Sequence, residues 1–486
     1  MLTIKTIKSG IREKEEYYTE DESLASELEQ TDSTELTEFQ KLTTAVWHEI
    51  GTKALGPEGI ITKEDFKSLL YGHQLGTTDR IRGTKTHSKS QERLAEDLTF
   101  SAPKSVSIAL HIGQDWRLFE AHTQSVKEVL DEVGQRYLTT RIQKNGERQV
   151  VKADNAIVAL IPHHTSRDGD LQLHTHAVIM NGTKGDDGVW RSLHNDALSR
   201  QRWLGNLYRQ KLAQKVQELG YSIYETKDGF EIEGIKRGDI EAFSKRSRSI
   251  IQQIEKQGLE VTPENRDRAT LTTRKAKHIT QSLEEFQQQW KDQADLIGVQ
   301  IPSPSDNQVQ LLGCQTASEA LNSAIAHFEE RSVAIAREEI YHYVFNHIQS
   351  FHLSELDQAI NSHPELISVE GGRFTTVGAI EREIETVGQW MKGQGQATPL
   401  LPAPNLEGTK LNSGQAEAIA LTLTSSDTHQ IIHGLSGVGK TTALGELKRQ
   451  LDGTGIEIRG FSPTIEAASQ LQKELGITTN TNSLNV

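Results

Sequence analysis

Three histidines, His163, His174 and His176, have the residue type and spacing of a metal-binding group. From Leu171 onward, apolar or β-branched residues alternate with other residues, which predicts a half-buried strand with successive side chains on opposite faces. His174 and His176 then point the same way, and the polar turn 165–170 brings His163 back beside them. Three neutral imidazoles can bind one ion and leave ligand positions open for a substrate oxygen.

A simpler interpretation of these histidines stays open at this point. An isolated His-x-His pair is most often two ordinary surface or core histidines. The apolar run 156–161, which delivers His163 to the same region, favours the metal interpretation. His164 faces the other way if the strand continues, and we leave it out of the site.

The blocks 163–167 and 172–178 resemble the three-histidine motif of the MobF family of conjugative relaxases. Residues 97–107 resemble the other signature of that family, and Tyr17-Tyr18-Thr19 lies near the N-terminus, where its nucleophilic tyrosines lie. The resemblance covers residues 1–300 approximately. It implies an α+β fold, the HUH relaxase fold, in which an antiparallel sheet carries the histidines on one face.

The resemblance also assigns roles to the site residues. A tyrosine would attack a DNA phosphorus with the help of a divalent ion, Mg²⁺ or Mn²⁺, because a phenol with a pKa of about 10 is a weak nucleophile. Tyr17 is the predicted nucleophile by its position in the motif, and Tyr18 is the alternative. Asp97 is expected to accept the second ring N–H of a ligand histidine. That Asp97 instead accepts the tyrosine proton is an alternative that stays open.

The predicted function is nicking of one strand at a plasmid origin of transfer, with a 5′-phosphotyrosyl DNA intermediate. Many family members carry a second tyrosine pair, whereas here no tyrosine lies between Tyr18 and Tyr71. A second strand transfer would need Tyr18, another protein molecule or the released 3′ hydroxyl. The rival functions are a rolling-circle replication initiator, whose tyrosine normally follows the histidines, and a non-catalytic regulator that binds the origin.

Composition and length fit a chain of two or three domains that works in a reducing compartment. The 486 residues are too many for one core. No apolar run approaches a membrane span, and the single cysteine, Cys314, excludes an internal disulfide. The expected location is the bacterial cytoplasm, with transfer to a recipient cell alongside the DNA. The implied partners are single-stranded and hairpin origin DNA, relaxosome accessory proteins and a type IV secretion coupling protein, without membrane insertion.

The net charge of -14 argues at face value against a nucleic-acid partner. Its distribution is uneven, because residues 201–277 hold 16 Lys and Arg against 11 Asp and Glu, a local balance of +5. The basic loop 77–90 could lie along a DNA backbone, although an ordinary solvated loop is an equal alternative. The candidate phosphate contacts are Arg82, Lys104 and Arg167.

A second motif, G-x-x-x-x-G-K-T, occupies residues 434–441 between a predicted strand at 430–433 and a helix from Thr442. Such a loop cradles nucleotide phosphates with backbone N–H groups, its lysine and its Mg²⁺-binding threonine. Gln415 resembles the adenine-reading glutamine of superfamily 1 helicases. The predicted nucleotide-binding residues, with ATP and Mg²⁺ as candidate ligands, are Gln415, Gly434, Gly437, Gly439, Lys440 and Thr441. No acidic strand follows before Val486, so we expect no useful ATP hydrolysis.

The predicted architecture places three modules in order along the chain. A relaxase domain spans residues 1–300, and a small helical, winged-helix-like module spans 301–392. A linker at 393–410 precedes the start of a RecA-like α/β P-loop helicase domain at 411–486. Within the first domain, a helix is predicted over residues 34–51.

Overall fold

The computed structural model describes most residues of the chain. They are residues 1–10, 17–19, 23–24, 38–51, 55, 57–82, 92–166, 168–194, 201–227, 229–260, 262, 265, 268–269, 281–305, 316–329, 331–435, 437–462 and 465–481. The chain divides into two compact units, the first built mainly from residues 1–331 and 335–364 and the second mainly from residues 374–486. The predicted boundary at residue 300 stays a prediction.

A five-stranded antiparallel sheet forms the centre of the first unit, with the strand order β1-β3-β7-β6-β2. Its strands are β1 (Leu2–Lys8), β2 (Val46–Gly51), β3 (Arg93–Ser101), β6 (Asn155–Thr165) and β7 (Leu171–Met180). The central strands β6 and β7 are buried along most of their length. This explains the continuous apolar run at 156–161, because a strand covered on both faces has no solvent side to alternate with.

Smaller strands surround this sheet. A three-stranded sheet has the order β10-β4-β5. The strands outside the central sheet are β4 (Thr139–Lys144), β5 (Glu147–Lys152), β8 (Thr183–Lys184), β9 (Trp190–Arg191), β10 (Leu193–His194), β11 (Ile223–Thr226) and β12 (Gly229–Ile232). Strands β11 and β12 pair in antiparallel as a hairpin.

The helices of the first unit pack around the sheet. They are α1 (Glu38–Thr43), α2 (Lys63–Leu70), α3 (Lys104–His111), α4 (Arg117–Arg136), α5 (Gln201–Glu218), α6 (Arg237–Ala242), α7 (Lys245–Lys256), α8 (Leu283–Ile297), α9 (Ala317–Glu329), α10 (Arg337–Val344) and α11 (Leu353–Ser362). Helix α4 buries the stripe Phe119, His122, Val126, Val129 and Val133, as its spacing predicts.

The helix predicted over residues 34–51 is wrong in its second half. Helix α1 ends at Thr43, and residues 46–51 form the edge strand β2, paired with β6. Trp47 and Ile50 are three residues apart and therefore lie on opposite faces of the strand, and both are buried, so β2 is covered on both sides. Pairing with β6 therefore overrides the local helical pattern.

Strand β13 (Ile335–Ala336) precedes α10, and β14 (Leu366–Val369), β15 (Arg373–Thr376) and helix α12 (Val377–Lys392) follow α11. Gly371 and Gly372 turn the chain between β14 and β15 with positive φ angles of 78° and 69°. Helices followed by a small hairpin agree with the predicted order of elements. That residues 301–392 form a winged-helix-like module stays a prediction.

The second unit carries α13 (Ser413–Thr424), α14 (Lys440–Leu451), β16 (Arg459–Ser462), α15 (Ile465–Leu475) and β17 (Thr478–Thr481). Strands β16 and β17 pair in parallel, which is typical of α/β domains. The strand predicted at residues 430–433 is not formed, and Ile431 is 81% exposed. A central strand needs ladder partners on both sides, and no described strand pairs with this stretch.

Among the described residues, no helix is long and apolar enough to cross a membrane.

Candidate metal and tyrosine site

The three predicted ligands meet on one face of β6 and β7. His163 lies directly opposite His174 in the ladder, and His176 lies opposite Ile161. One ring nitrogen from each histidine lies within 4.8 Å of the corresponding atoms of the other two. The ring centroids are 5.0 to 5.4 Å apart. Strand alternation therefore brings the three imidazoles to one point, as the sequence predicts.

Hydrogen bonds at the outer ring nitrogens orient two of these imidazoles. His174 Nδ1 lies 2.9 Å from the carbonyl oxygen of Gln172, which can only accept, so Nδ1 carries the proton. His176 Nδ1 lies 2.9 Å from Asp97 Oδ2 and donates in the same way. Both rings are left with a lone pair on Nε2 for an ion. Burial, reinforced by His163 and His176, holds the pKa of His174 well below its ordinary value, which keeps this ligand neutral.

Asp97 is buried beneath His176, with 1% of its surface exposed. Its carboxylate accepts hydrogen bonds from His176, from the Tyr18 hydroxyl at 2.7 Å and from the Thr99 hydroxyl at 3.1 Å. Burial alone would raise the pKa of Asp97, but the His176 ring and these three hydrogen bonds lower it below its ordinary value. Asp97 is therefore a fixed negative charge at the back of the histidine group.

The two tyrosines occupy different positions on the helical segment 17–19. The Tyr17 hydroxyl lies 3.3 Å from His176 Nε2, the nitrogen that faces the centre of the group. The Tyr17 ring is half-buried and contacts the edges of His163 and His176. Tyr18 is buried, and its hydroxyl is bound to Asp97. Only Tyr17 directs its oxygen at the histidine nitrogens.

The donor set of three imidazoles fits a divalent transition ion. Imidazole nitrogens suit Zn²⁺, Cu²⁺, Fe²⁺ and Ni²⁺, and three of them leave open coordination positions. The three ligand nitrogens, within 4.8 Å of one another, are grouped closely enough that they would hold one ion between them. The buried carboxylate of Asp97 behind His176 is a common outer partner of such a ligand.

The prediction that Arg82 contacts DNA is wrong. Arg82 is 2% exposed, and its guanidinium donates to Glu92 Oε1 at 2.8 Å and to the Leu70 carbonyl oxygen at 2.9 Å. It also packs against Gly72, which ends helix α2 with a φ of 84°. Arg82 therefore joins the end of a helix to a neighbouring loop, and its charge is neutralised inside the protein.

The structure gives Lys104 a contact other than the predicted phosphate. Its ammonium donates to the carbonyl oxygen of Leu171 at 2.7 Å. Burial lowers its pKa to about 8 against the opposing effect of Asp170 and Glu231. Lys104 thus fixes the start of β7 at Leu171, three residues before His174. Arg167, the third predicted phosphate contact, lies outside the described residues.

Around the P-loop motif, Gly437 and Gly439 have positive φ angles of 81° and 78°, and Gly439 caps helix α14. The Lys440 ammonium donates to the carbonyl oxygens of Gly434 and Leu435 at 2.7 and 2.8 Å. Gln415 Nε2 donates to the Val438 carbonyl oxygen at 2.9 Å. The glutamine predicted to read adenine therefore lies against the loop. Thr441 lies in the first turn of α14.

Comparison with known proteins decides the family. The sequence profile of the TrwC relaxase family matches residues 11–297, more than half of the chain. The chain belongs to the TrwC relaxase family. The predicted resemblance to conjugative relaxases is confirmed, and the antiparallel sheet with its histidine face is the relaxase fold. A second profile, of an AAA domain, matches residues 410–484 and confirms the predicted start of a P-loop domain.

Solved structures of TrwC align with the relaxase part. A copper-bound complex of the conjugative relaxase TrwC with OriT DNA has a TM-score of 0.55 at 32% identity, covering 62% of this chain and 100% of that chain. TrwC bound to a 27-mer DNA comprising the recognition hairpin and the cleavage site has a TM-score of 0.53 at 31% identity, with the same coverage.

A curated relative is the multifunctional conjugation protein TraI of Escherichia coli (strain K12). It is 33% identical to this TrwC-family chain over 312 aligned positions, and the alignment covers 59% of this chain and 17% of TraI. The chain thus spans less than a fifth of the length of this relative.

Two contributors to the site were not singled out from the sequence. Thr99 lies opposite His176 in the β3-β7 ladder, and its hydroxyl is 3.1 Å from His176 Nδ1 and from Asp97 Oδ2. Its position two residues after Asp97, on the same strand face, is a signal that could have found it. The carbonyl of Gln172, which orients His174, carries no sequence signal because every residue has one.

Proposed function

We propose that this chain nicks one strand of an origin-of-transfer DNA by transesterification with Tyr17. The observation that carries the proposal is the position of the Tyr17 hydroxyl, 3.3 Å from a nitrogen of the three-histidine group. Membership of the TrwC relaxase family and the likeness to TrwC bound to OriT DNA support it.

In the proposed reaction, the Tyr17 phenol loses its proton and its oxygen bonds to the scissile phosphorus. The bond from phosphorus to the 3′ oxygen breaks, and that oxygen takes up a proton to become a free hydroxyl. A 5′-phosphotyrosyl ester remains on the protein and preserves the bond energy for rejoining. A divalent ion on His163, His174 and His176 would supply positive charge to a phosphate oxygen. Asp97 would hold His176 in the tautomer that presents Nε2.

Tyr18 has a different proposed role. Its hydroxyl donates a hydrogen bond to the Asp97 carboxylate, and its ring belongs to the buried core cluster that also contains Trp47 and Ile161. An attack by Tyr18 would require this buried hydrogen bond to break and leave Asp97 with one partner fewer. Tyr18 therefore stabilises Asp97 while Tyr17 reacts.

A labelled-oligonucleotide assay tests the proposal. Protein, Mn²⁺ and an end-labelled single strand containing the nick sequence should give a protein-DNA adduct on a denaturing gel. Chelator, Tyr17→Phe and His174→Ala should each abolish it, because each removes the nucleophile or the ion. Tyr18→Phe should keep adduct formation within about tenfold, since it removes one buried hydrogen bond. Tight binding without any adduct would instead indicate a non-catalytic origin-binding regulator.

We propose the β4-β5 ribbon as a surface for the duplex part of that DNA. Directly paired residues share a face, so Arg141, Arg148 and Lys152 lie on one face of this exposed hairpin. Among the described residues none of the three forms an ion pair with a carboxylate, and Arg141 contacts the His194 ring. A two-stranded ribbon fits the major groove, and uncompensated cations bind its phosphates. TrwC bound to a DNA with a recognition hairpin supports a hairpin as the substrate.

We also propose that the P-loop binds the phosphates of ATP with Mg²⁺. The loop N–H groups precede the N-terminus of α14, and the ammonium of Lys440 lies at the loop. The match to an AAA domain supports a helicase-like role for this part. Loss of binding of a fluorescent ATP analogue in Lys440→Ala, with Lys448→Ala as the control on the same helix, tests this site.

The biological setting is likewise a proposal. Because the relative TraI is a conjugation protein, we propose that this chain acts in the bacterial cytoplasm with relaxosome accessory proteins and a type IV secretion coupling protein. It would enter the recipient cell attached to the transferred strand through Tyr17.

A further inference from the structure

A buried chain of hydrogen bonds runs behind the proposed metal site. His164 follows His163 on β6, points to the opposite face of the sheet and is 5% exposed. Its Nε2 lies 2.8 Å from the carbonyl oxygen of Leu42, and its Nδ1 lies 3.1 Å from His111 Nε2. His111 Nδ1 in turn lies 3.3 Å from the side-chain nitrogen of Gln287.

The direction of every bond in this chain follows from its last member. The Leu42 carbonyl can only accept, so His164 Nε2 carries a proton and donates it. The His164 ring is 5% exposed and neither of its two hydrogen-bond partners is a carboxylate, which favours the neutral ring and leaves Nδ1 as an acceptor for His111 Nε2–H. Burial also holds the pKa of His111 well below its ordinary value, so its Nδ1 accepts from the Gln287 amide. Every donor therefore faces an acceptor, from Gln287 to Leu42.

The chain lies where the β6-β7 ladder is irregular. Regular pairing shifts between His163 and Thr165, so His164 is at the break. A bulge of this kind changes the aim of the neighbouring side chain and weakens the backbone hold on it. The side-chain bonds of His164 are thus positioned to fix the backbone that carries His163.

Both ends of the chain lie on elements that contact the active-site segments. On α8, next to Gln287, Trp290 Nε1 donates to the Gly169 carbonyl oxygen at 3.0 Å, in the turn that joins β6 to β7. The Trp290 ring also packs on His111. Leu42 belongs to α1, and Ala45, just beyond this helix, donates its N–H to the Ser23 carbonyl oxygen at 2.9 Å. Ser23 lies shortly after the tyrosines.

We propose that His111 and His164 are positioning residues of the proposed metal site. Their hydrogen bonds fix the bulge at His164 between α8 and α1 and thereby orient the neighbouring His163 ring towards the ion. This inference rests on the proposed metal site. A merely stabilising network would alter the melting temperature without altering the geometry or affinity of the site. The two possibilities differ in measurements on the metal-free protein and on the Co²⁺ protein.

The tautomers are measured first, in the metal-free full chain with ¹⁵N-labelled histidine. His111 and His164 should both appear as neutral Nε2–H tautomers. Gln287→Leu removes the first donor and should shift the Nδ1 resonance of His111. Gln288→Leu, an exposed neighbour on α8, is the matched control and should leave it unchanged. A His164 that carries its proton on Nδ1, or an unchanged His111 in Gln287→Leu, would overturn the directed chain.

Co²⁺ binding then tests the positioning role. His164→Phe should weaken Co²⁺ binding about tenfold and change the visible spectrum of the bound ion. His164→Gln, whose amide can still donate to the Leu42 carbonyl, should restore most of the affinity. Tyr137→Phe, which removes the hydrogen bond from Trp203 elsewhere in the unit, controls for general destabilisation. If His164→Phe does not fold, Gln287→Leu takes its place, with an expected loss of about threefold.

The outcomes separate the two proposals. Unchanged Co²⁺ affinity and spectrum in the folded variants would overturn the positioning role. Failure of the wild-type chain to bind Co²⁺ at the three histidines would overturn both the proposed metal site and the positioning role that depends on it. The tautomers of His111 and His164 would then still decide whether the directed chain exists.

Discussion

At the scale of single residues, the carboxylate of Asp97 connects the three-histidine group to the tyrosine segment 17–19 by hydrogen bonds. It accepts from His176 on one side and from Tyr18 on the other, and it is almost completely buried. The same charge thus orients a ligand and holds the helical segment that carries Tyr17. These hydrogen bonds to His176 and Tyr18 offset the cost of burying the negative charge of Asp97 beside an otherwise apolar core.

Asp97→Asn tests this role. The amide keeps the size of the side chain but removes the charge that favours the Nδ1–H tautomer of His176, so Mn²⁺ affinity should fall about 10- to 100-fold. Titration of adduct formation with Mn²⁺ measures the change. Thr99→Val, on the same strand face, removes only a flanking hydroxyl and should cost less than about tenfold. Equal Mn²⁺ dependence in Asp97→Asn and wild type would contradict the orienting role.

The grouping of the three histidines could be predicted from the sequence because strand alternation and a short turn fix where their side chains point. The burial of Arg82 could not be predicted, because its sequence neighbours are those of a basic, exposed loop. Only the folded chain brings Glu92 and the Leu70 carbonyl to its guanidinium. Burial of a charge depends on partners distant in sequence, and local composition does not contain them.

At the scale of elements, the β4-β5 ribbon concentrates positive charge in a chain whose net charge is -14. Its cationic face carries Arg141, Arg148 and Lys152, whereas Lys144 lies on the other face, directly opposite Glu147. Local arrangement therefore matters more than total charge for binding a polyanion.

The double variant Arg141→Ala, Arg148→Ala should weaken binding of a hairpin DNA and lower the slope of log affinity against log salt by about 2, because two phosphate contacts are lost. Lys144→Ala, on the opposite face, should change both the affinity for hairpin DNA and the salt slope less than the double variant does. Fluorescence anisotropy at several salt concentrations measures both. Parallel salt lines for the double variant and wild type would exclude the ribbon from the DNA interface.

Element boundaries were predictable where local and tertiary preferences agree. Helix α4 and the hairpin β11-β12 follow from spacing and turn residues. Residues 46–51 instead form a strand because they pair with β6, a contact more than a hundred residues away along the chain. Residues 430–433 carry a strand-like apolar run but have no described partner strand. In both cases the pairing partner, which local pattern does not reveal, decides the structure.

At the scale of the whole molecule, buried neutral histidines link stability to pH. Burial, reinforced by His164, lowers the pKa of His122 to about 3, and this ring bridges Tyr208 on α5 and Thr175 on β7. In the unfolded chain a histidine has a pKa of about 6.5. Between these values the unfolded state binds a proton that the folded state does not, so the free energy of unfolding falls as the pH falls.

The variant His122→Gln should therefore show a weaker pH dependence than wild type. Its amide does not titrate, so the slope should drop by about 1.4 kcal/mol per pH unit between pH 6 and pH 4. Urea unfolding of the metal-free protein at a series of pH values measures it. The comparison of slopes is insensitive to any constant loss of stability in the variant. Identical slopes would show that His122 is not a buried neutral group.

The proposed nicking reaction depends on which phenol carries the DNA. The most direct measurement is tandem mass spectrometry of the wild-type adduct after nuclease and protease digestion, which locates the residual nucleotide on the peptide containing both tyrosines. The nucleotide should be found on Tyr17, whose hydroxyl lies at the histidine group. A nucleotide on Tyr18, whose hydroxyl is bound to Asp97, would contradict the proposed geometry of attack.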